Sequence, residues 1–247
     1  MIGIMSAMQE EIHTLLDAIK DKRSTHKGKR TYYTGKLNGK EVVLVFSRWG
    51  KVASATTATQ MINDFDPEEI IFTGVGGSVS KDLYIGDIVI GKDLYQHDMD
   101  TSPLLPLFEI PLLNKTSFST SEMHRIKMQR AVEDFLKEYD THISVAERQK
   151  FSMERPKMRI ADIASGDQFI SKKEQIGFLR EHLPSVQCVE MEGAAVAQVC
   201  YEYNIPFTVI RTISDDAGDN SHIEFQLFAK EIASIYALGI LNNYLQP

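Results

Sequence analysis

Glu69-Ile70-Ile71-Phe72-Thr73-Gly74-Val75-Gly76-Gly77-Ser78 and Phe207-Thr208-Val209-Ile210-Arg211-Thr212-Ile213-Ser214-Asp215-Asp216 share one design: an apolar run that ends in small or polar residues. A run without apolar/polar alternation marks a strand buried on both faces, as in a partly parallel sheet covered by helices. Working outward, strand-like runs cover Ile2–Met5, Arg30–Leu37, Glu41–Ser47, Glu69–Thr73, Gly86–Gly91, Met158–Ser165, Gln187–Glu190 and Phe207–Ser214. Asn38-Gly39 between two of them is a hairpin signal. Ser6…Gln9, Ser119…Glu122, Ser171…Glu174 and Ser221…Glu224 fit the S-x-x-E/Q capping box and predict helix starts. Strand, short loop and capped helix in alternation give an α/β class. The 247 residues are expected to form one domain over 1–247, with no internal repeat. Two segments stand apart. Lys20–Arg30 is basic and reads as a solvated loop. Leu94–Phe118 holds three prolines and little periodicity, and reads as a long excursion over a site or a partner.

The 27 basic and 34 acidic residues give a net charge of −7, which argues against a nucleic-acid partner. No apolar run is long enough to span a bilayer. Met1–Met5 lacks a basic n-region and reads as a strand, not a signal peptide. Two cysteines, Cys188 and Cys200, are too few for a disulfide scaffold. A cytoplasmic protein is expected.

In open α/β sheets, ligands bind beyond the C-terminal ends of strands, so chemistry is sought at strand-to-helix junctions. At Met5–Glu11, a helix capped by Ser6 places Glu11 on the apolar stripe, either as a site carboxylate or as a dipole-stabilising edge residue. Thr73–Ser78 lets a ligand approach the backbone, or is simply a tight turn. At Ser165–Ile170, Phe169 either stacks on a base or plugs the core. In Val189-Glu190-Met191-Glu192, a carboxylate can accept both hydroxyls of a ribose diol, or the two acids are one buried ion pair and one solvated group. Arg211 and Asp215, at the end of the most apolar strand, are poor core material and favour a site. His97-Asp98-Met99-Asp100 has metal-type residues without a matching distant ligand set.

These junctions in this order, with Thr34–Gly39, Gly50-Lys51-Val52-Ala53 and Gly86–Val89, resemble the nucleoside phosphorylase superfamily. Its hydrolytic branch, the bacterial 5′-methylthioadenosine/S-adenosylhomocysteine nucleosidases, is the most similar. The resemblance runs over essentially the whole chain. It implies a three-layer fold with a central mixed twisted sheet flanked by helices. It implies hydrolysis of an N-ribosidic bond, with adenine released and neither metal nor redox cofactor required. By resemblance, Glu11 activates the attacking water and Asp215 protonates adenine N7. Met191 and Glu192 contact the ribose. Phe169 stacks on adenine, and the Ile170 backbone reads the base edge. Met8 and Phe225 line the sugar and alkylthio pocket. Val75 and Gly76 lie near the water, and Ser214 and Arg211 support from behind. The implied partners are a small nucleoside and a second copy, with Thr101–Leu104 reaching into the partner's site.

The chain departs from the family at four places, one of them a longer region before Met158. Val75-Gly76-Gly77-Ser78 replaces Ser-Ala-Gly-Gly, Arg48-Trp49 replaces Gly-Ile, and the chain around Pro103–Pro111 is rewritten. Trp49 is expected at the site or the subunit contact, with a core anchor as the alternative. Three other functions stay open: phosphorolysis, hydrolysis of a futalosine-type nucleoside, and non-catalytic nucleoside binding. Phe72 stands where the phosphorylases carry an arginine, which favours hydrolysis; Arg48 and Arg211 remain as possible phosphate ligands.

Overall fold

The computed structural model describes the backbone of residues 1–153, 155–218 and 221–246, and the side chains of these except 221–223. Ten strands are described: β1 (Ile2–Ser6), β2 (Lys20–Lys27), β3 (Arg30–Leu37), β4 (Lys40–Phe46), β5 (Glu69–Ser78), β6 (Ile88–Gln96), β7 (Ser117–Ser119), β8 (Met158–Ser165), β9 (Val186–Glu190) and β10 (Phe207–Asp215). The helices are α1 (His13–Ala18), α2 (Lys51–Phe65), α3 (Glu122–Lys137), α4 (Tyr139–His142), α5 (Val145–Lys150), α6 (Lys173–His182), α7 (Gly193–Glu202), α8 (Ser221–Phe228) and α9 (Ser234–Tyr244). A π-helical turn, Ala229–Ala233, joins the last two.

The apolar runs of β1, β4, β5, β6 and β10 are explained by two cores that share each of these strands, while β8 and β9 also feed a third core with α6. Ile4, Val42, Leu44, Ile71, Ile90 and Ile210 point into one core, with Leu15 and the inner faces of α3 and α9. Their neighbours Met5, Val43, Val45, Ile70, Phe72, Val89 and Val209 point into the other, with α2 and α7. Strand side chains alternate faces, so a strand between two helical layers must be apolar at every position. All of β10 is buried, and so is all of β5 except Gly74. Each such Ile, Val or Phe contributes roughly 1.5–3 kcal/mol by burial. Among the described residues, no helix is long and apolar enough to cross a membrane.

The sheet is mixed. β1 pairs in parallel with β4 and β5, and β5 with β10. β6 runs antiparallel to β10, and β9 antiparallel to β5. Because β10 pairs with both β5 and β6, strands β5, β10, β6, β8 and β9 close on themselves, while β1, β4, β3 and β2 extend as a wing. β5 and β9 pair over two positions only, Gly77 opposite Val189 and Ser78 opposite Cys188. That short crossing gathers the C-terminal ends of β5, β9 and β10 at one place.

Several sequence expectations need correction. Lys20–Arg30 is not a loop: β2 is a fully exposed edge strand paired to β3. With water on both faces it has no apolar alternation to betray it, and its charges protect the edge. The strand expected at Gly86–Gly91 is shifted to Ile88–Gln96, with Gly86 at φ +93° in the preceding turn. The Leu94–Phe118 excursion therefore begins inside β6 and ends in β7. Ser6 caps no helix; β1 runs through it, and α1 starts only at His13. Ser121, not Ser119, precedes α3. Before α6, it is Gln175 Oε1 that accepts the Ser171 and Lys172 N–H groups. Ser144 and Glu147 form a capping box at α5 that the sequence reading missed. The Ser221 side chain lies outside the described residues. The Asn38-Gly39 hairpin is present, with φ +49° and +79° as a type I′ turn requires.

Candidate active site

The turn after β1 carries Glu11, which is 2% exposed. It precedes α1 rather than riding on a helix stripe. Its Oε2 accepts from Ser6 Oγ and from the Ala7 and Met8 N–H groups at 3.1 and 3.0 Å. Its Oε1 accepts from Val75 N–H at 3.0 Å. A Cβ at Gly74 would lie 2.7 Å from Glu11 Oε1, so only glycine there lets the carboxylate rest against β5. Burial pushes the Glu11 carboxyl above its ordinary range; the donors and the Arg211 charge pull the other way.

Asp215 ends β10, paired with Gly77 after a bulge at Ser214. Bulges re-aim side chains beside sites. Asp215 Oδ2 accepts from Ser214 Oγ at 2.7 Å and Oδ1 from Ala217 N–H at 2.9 Å. Burial pushes its pKa to about 6, against the pull of these two donors. A Cβ at Gly77 would lie 2.9 Å from Asp215 Oδ1. Glu11 and Asp215 thus meet β5 at positions three residues, or about 10 Å, apart.

Behind them lies a buried ion pair. Arg211 Nη2 donates to Glu190 Oε2 at 2.6 Å, and Nη1 donates to the Phe72 and Ile210 carbonyls. The guanidinium also lies 4.3 Å from the Phe72 ring centroid. Glu190 accepts in addition from Ser165 Oγ and from the Glu192 and Gly193 N–H groups at the start of α7. Removing one partner of such a pair costs about 3–5 kcal/mol. Glu192 is 5% exposed and its Oε1 accepts from Gly50 N–H at 2.8 Å. Burial, then the Glu190 charge, raises its pKa.

Met8, Glu11, Val75, Gly76, Phe169, Ile170, Met191, Glu192, Asp215 and Phe225 all line one cavity of about 340 Å³. Every cavity-lining residue expected from the sequence is therefore brought together. Ser214 and Arg211 stand behind it, in contact with Asp215 and Glu190. Phe225 packs edge-on to Phe169 and to Trp49, with centroids at 5.8 and 6.1 Å. Trp49 is 56% exposed at the rim, which rejects the core-anchor reading. The sequence reading missed Glu190: two acids flank Met191, and nothing local says which one meets Arg211. The alternative of one buried ion pair and one solvated acid holds for its first half, Glu190 with Arg211, and not for its second, since Glu192 is buried too. Of the two possible phosphate ligands, Arg211 is bound to Glu190. Arg48 Nη2 donates to the Lys29 carbonyl at 2.7 Å. Among the described residues, no lysine or arginine lines the cavity.

Comparison with known proteins agrees with this arrangement. A family model described as "Phosphorylase superfamily" matches residues 1–246. The 5′-methylthioadenosine/S-adenosylhomocysteine nucleosidase of Oceanobacillus iheyensis is 33% identical over 242 residues, covering 98% of this chain and 97% of its own. The Neisseria meningitidis nucleosidase of the same name, solved with methylthio-immucillin-A, superposes with a TM-score of 0.85 at 28% identity, covering 99% of this chain and 98% of its own. The futalosine hydrolase of Helicobacter pylori superposes at 0.83 with 33% identity, covering 98% and 96%. The chain belongs to the phosphorylase superfamily, within the group of 5′-methylthioadenosine/S-adenosylhomocysteine nucleosidases.

Proposed function

We propose that the chain hydrolyses the N-ribosidic bond of 5′-methylthioadenosine and S-adenosylhomocysteine, releasing adenine and the 5-thio-substituted ribose. One observation carries this reading: Glu11 and Asp215 face one cavity whose described lining holds no cation to bind phosphate. Breaking the bond puts positive charge on the sugar and negative charge on the base, through an oxocarbenium-like transition state. Adenine leaves once N7 is protonated. Asp215, with a pKa raised to about 6 by burial, keeps a proton to give. Glu11 acts ionised, since its four donors fit an acceptor-only carboxylate, and it orients the water. Glu192 accepts the ribose hydroxyls, beside Met191. Phe169 stacks on the base, and the Ile170 backbone reads its edge. Two carboxylates in opposed proton states divide the work.

A second substrate is kept by a specific observation. Trp49 and Phe225 make an aromatic rim where the 5′-substituent would leave the cavity, which suits the aryl group of a futalosine-type nucleoside. The working unit is proposed to be a homodimer. Leu104, at 86% exposure, and Val52, at 77%, present apolar surface for a second copy.

The reading is tested by incubation with methylthioadenosine, adenosylhomocysteine and aminofutalosine, with and without phosphate, and identification of the products. Base and free sugar should form at the same rate in phosphate-free buffer. A strict phosphate requirement with a sugar 1-phosphate product would overturn it.

A further inference from the structure

The His97-Asp98-Met99-Asp100 motif has no part in the cavity, yet Asp98 reaches both loops that shape it. Asp98 Oδ2 accepts from Asp167 N–H at 2.8 Å, in the loop that carries Phe169. Its Oδ1 accepts from Lys51 Nζ at 2.6 Å. Lys51 opens α2, and its own N–H donates to Asp167 Oδ1 at 2.8 Å. The preceding N–H, that of Gly50, donates to Glu192. The first N–H groups of α2 are thus held by one carboxylate from the base side, Asp167, and one from the sugar side, Glu192. Carboxylates are favoured at a helix N-terminus. Gly50 sits at φ +92°, and a Cβ there would lie 2.8 Å from Asp167 Oδ1, so the turn needs glycine. The Asp98 and Lys51 side chains are 15% and 17% exposed, which strengthens their ion pair relative to one in open water. Lys51 Nζ is also held by Gln96 Oε1 at 3.2 Å.

We propose that Asp98 is a positioning residue: by bonding the Asp167 N–H and the Lys51 ammonium together, it locks the base-stacking loop to the turn that holds Glu192. The inference rests on the nucleosidase reading above. Without Asp98, the Asp167–Phe169 loop loses its anchor on this side, and the base platform drifts relative to the ribose carboxylate. Misplacement of about 1 Å is enough to cost up to 10²-fold. The loss falls on base binding in ground and transition states alike, so KM carries it more than kcat.

The test uses the full chain with Asp98→Ala and, separately, Lys51→Met. For each, the affinity for free adenine is measured by calorimetry, with KM and kcat for methylthioadenosine and the melting temperature. We expect adenine affinity to fall and KM to rise about tenfold or more, with kcat less affected. The double variant should lose less than the product of the single losses, because both act through one contact. A purely structural role would lower the active fraction, reducing kcat while KM and adenine affinity per folded molecule stay unchanged; that result overturns the proposal. If Asp98→Ala does not fold, Lys51→Met decides by the same split. A wild-type chain that neither binds adenine nor releases it refutes the nucleosidase reading itself and removes this inference with it.

Discussion

The turn after β1 and the C-terminal end of β10 each deliver one buried carboxylate to the cavity, and they hold it differently. Glu11 receives four donors, one from the end of β1, two from its own turn and one from β5. Asp215 receives two, both from its immediate neighbours. Burial raises both pKa values. It outweighs the donors at both, and at Asp215 it leaves the group near 6, where protonated and ionised forms are both populated around neutrality. At Glu11 every donor favours the charged form, and Arg211 adds to them. The two acids thus differ in how many donors support the charged form, four at Glu11 and two at Asp215.

Substitution at the two acids gives the largest expected effects and breaks the comparison if they respond alike. Asp215→Asn keeps the shape but cannot transfer a proton, so kcat should fall roughly 10²–10⁴-fold while a substrate analogue still binds. Glu11→Gln should cut kcat by a similar amount. It should also destabilise the fold, because its amide sets new donors against the four already aimed there. Kinetics and thermal melts on the same preparations separate the two cases. The exposed neighbour Asp216 should tolerate Asn with little loss.

The glycines under each acid sharpen the comparison. Gly74→Ala places a methyl 2.7 Å from Glu11 Oε1, and Gly77→Ala places one 2.9 Å from Asp215 Oδ1. Each should misplace its carboxylate and reduce kcat by up to about 10²-fold. Gly74→Ala should shift the acid limb of the pH–rate profile, and Gly77→Ala the alkaline limb. Equal shifts of both limbs would show that the two acids are not held independently.

The smallest effect is on stability. Asp215 has its pKa raised from the usual 3.8 to about 6. The favourable contribution of its neutral form is complete below pH 3.8 and is lost as pH rises through 6. Above that, the buried charge costs up to about 3 kcal/mol. Asp215→Asn should therefore melt at or above the wild type at pH 8, with its smallest advantage near pH 4. A variant less stable than wild type at pH 8 would mean that the charge is well solvated.

The two-faced strands were legible because double burial forces apolar residues at successive positions, and Ile70-Ile71-Phe72 and Val209-Ile210 show it directly. The polar ends of β5 and β10 were legible as a site because charge there is poor core material. Glu11 was not legible from periodicity, which assigned it to a helix that begins only at His13. Its place came through resemblance. Glu190 was hidden because its partner Arg211 is 21 residues away, and pairing at that range leaves no local signal. The same holds for Asp167 at the start of α2, 116 residues from Lys51. β2 left no apolar pattern because none of it is buried.

The central claim is that Asp215 works protonated while Glu11 works ionised, and the pH dependence of kcat/KM for methylthioadenosine tests it most directly. The wild-type profile should fall above about pH 6 as Asp215 loses its proton. In Asp215→Asn, the small residual rate should lose that alkaline limb and keep the acid limb set by Glu11. A wild-type rate that stays flat through pH 9, or an alkaline limb unchanged in Asp215→Asn, would contradict the assignment.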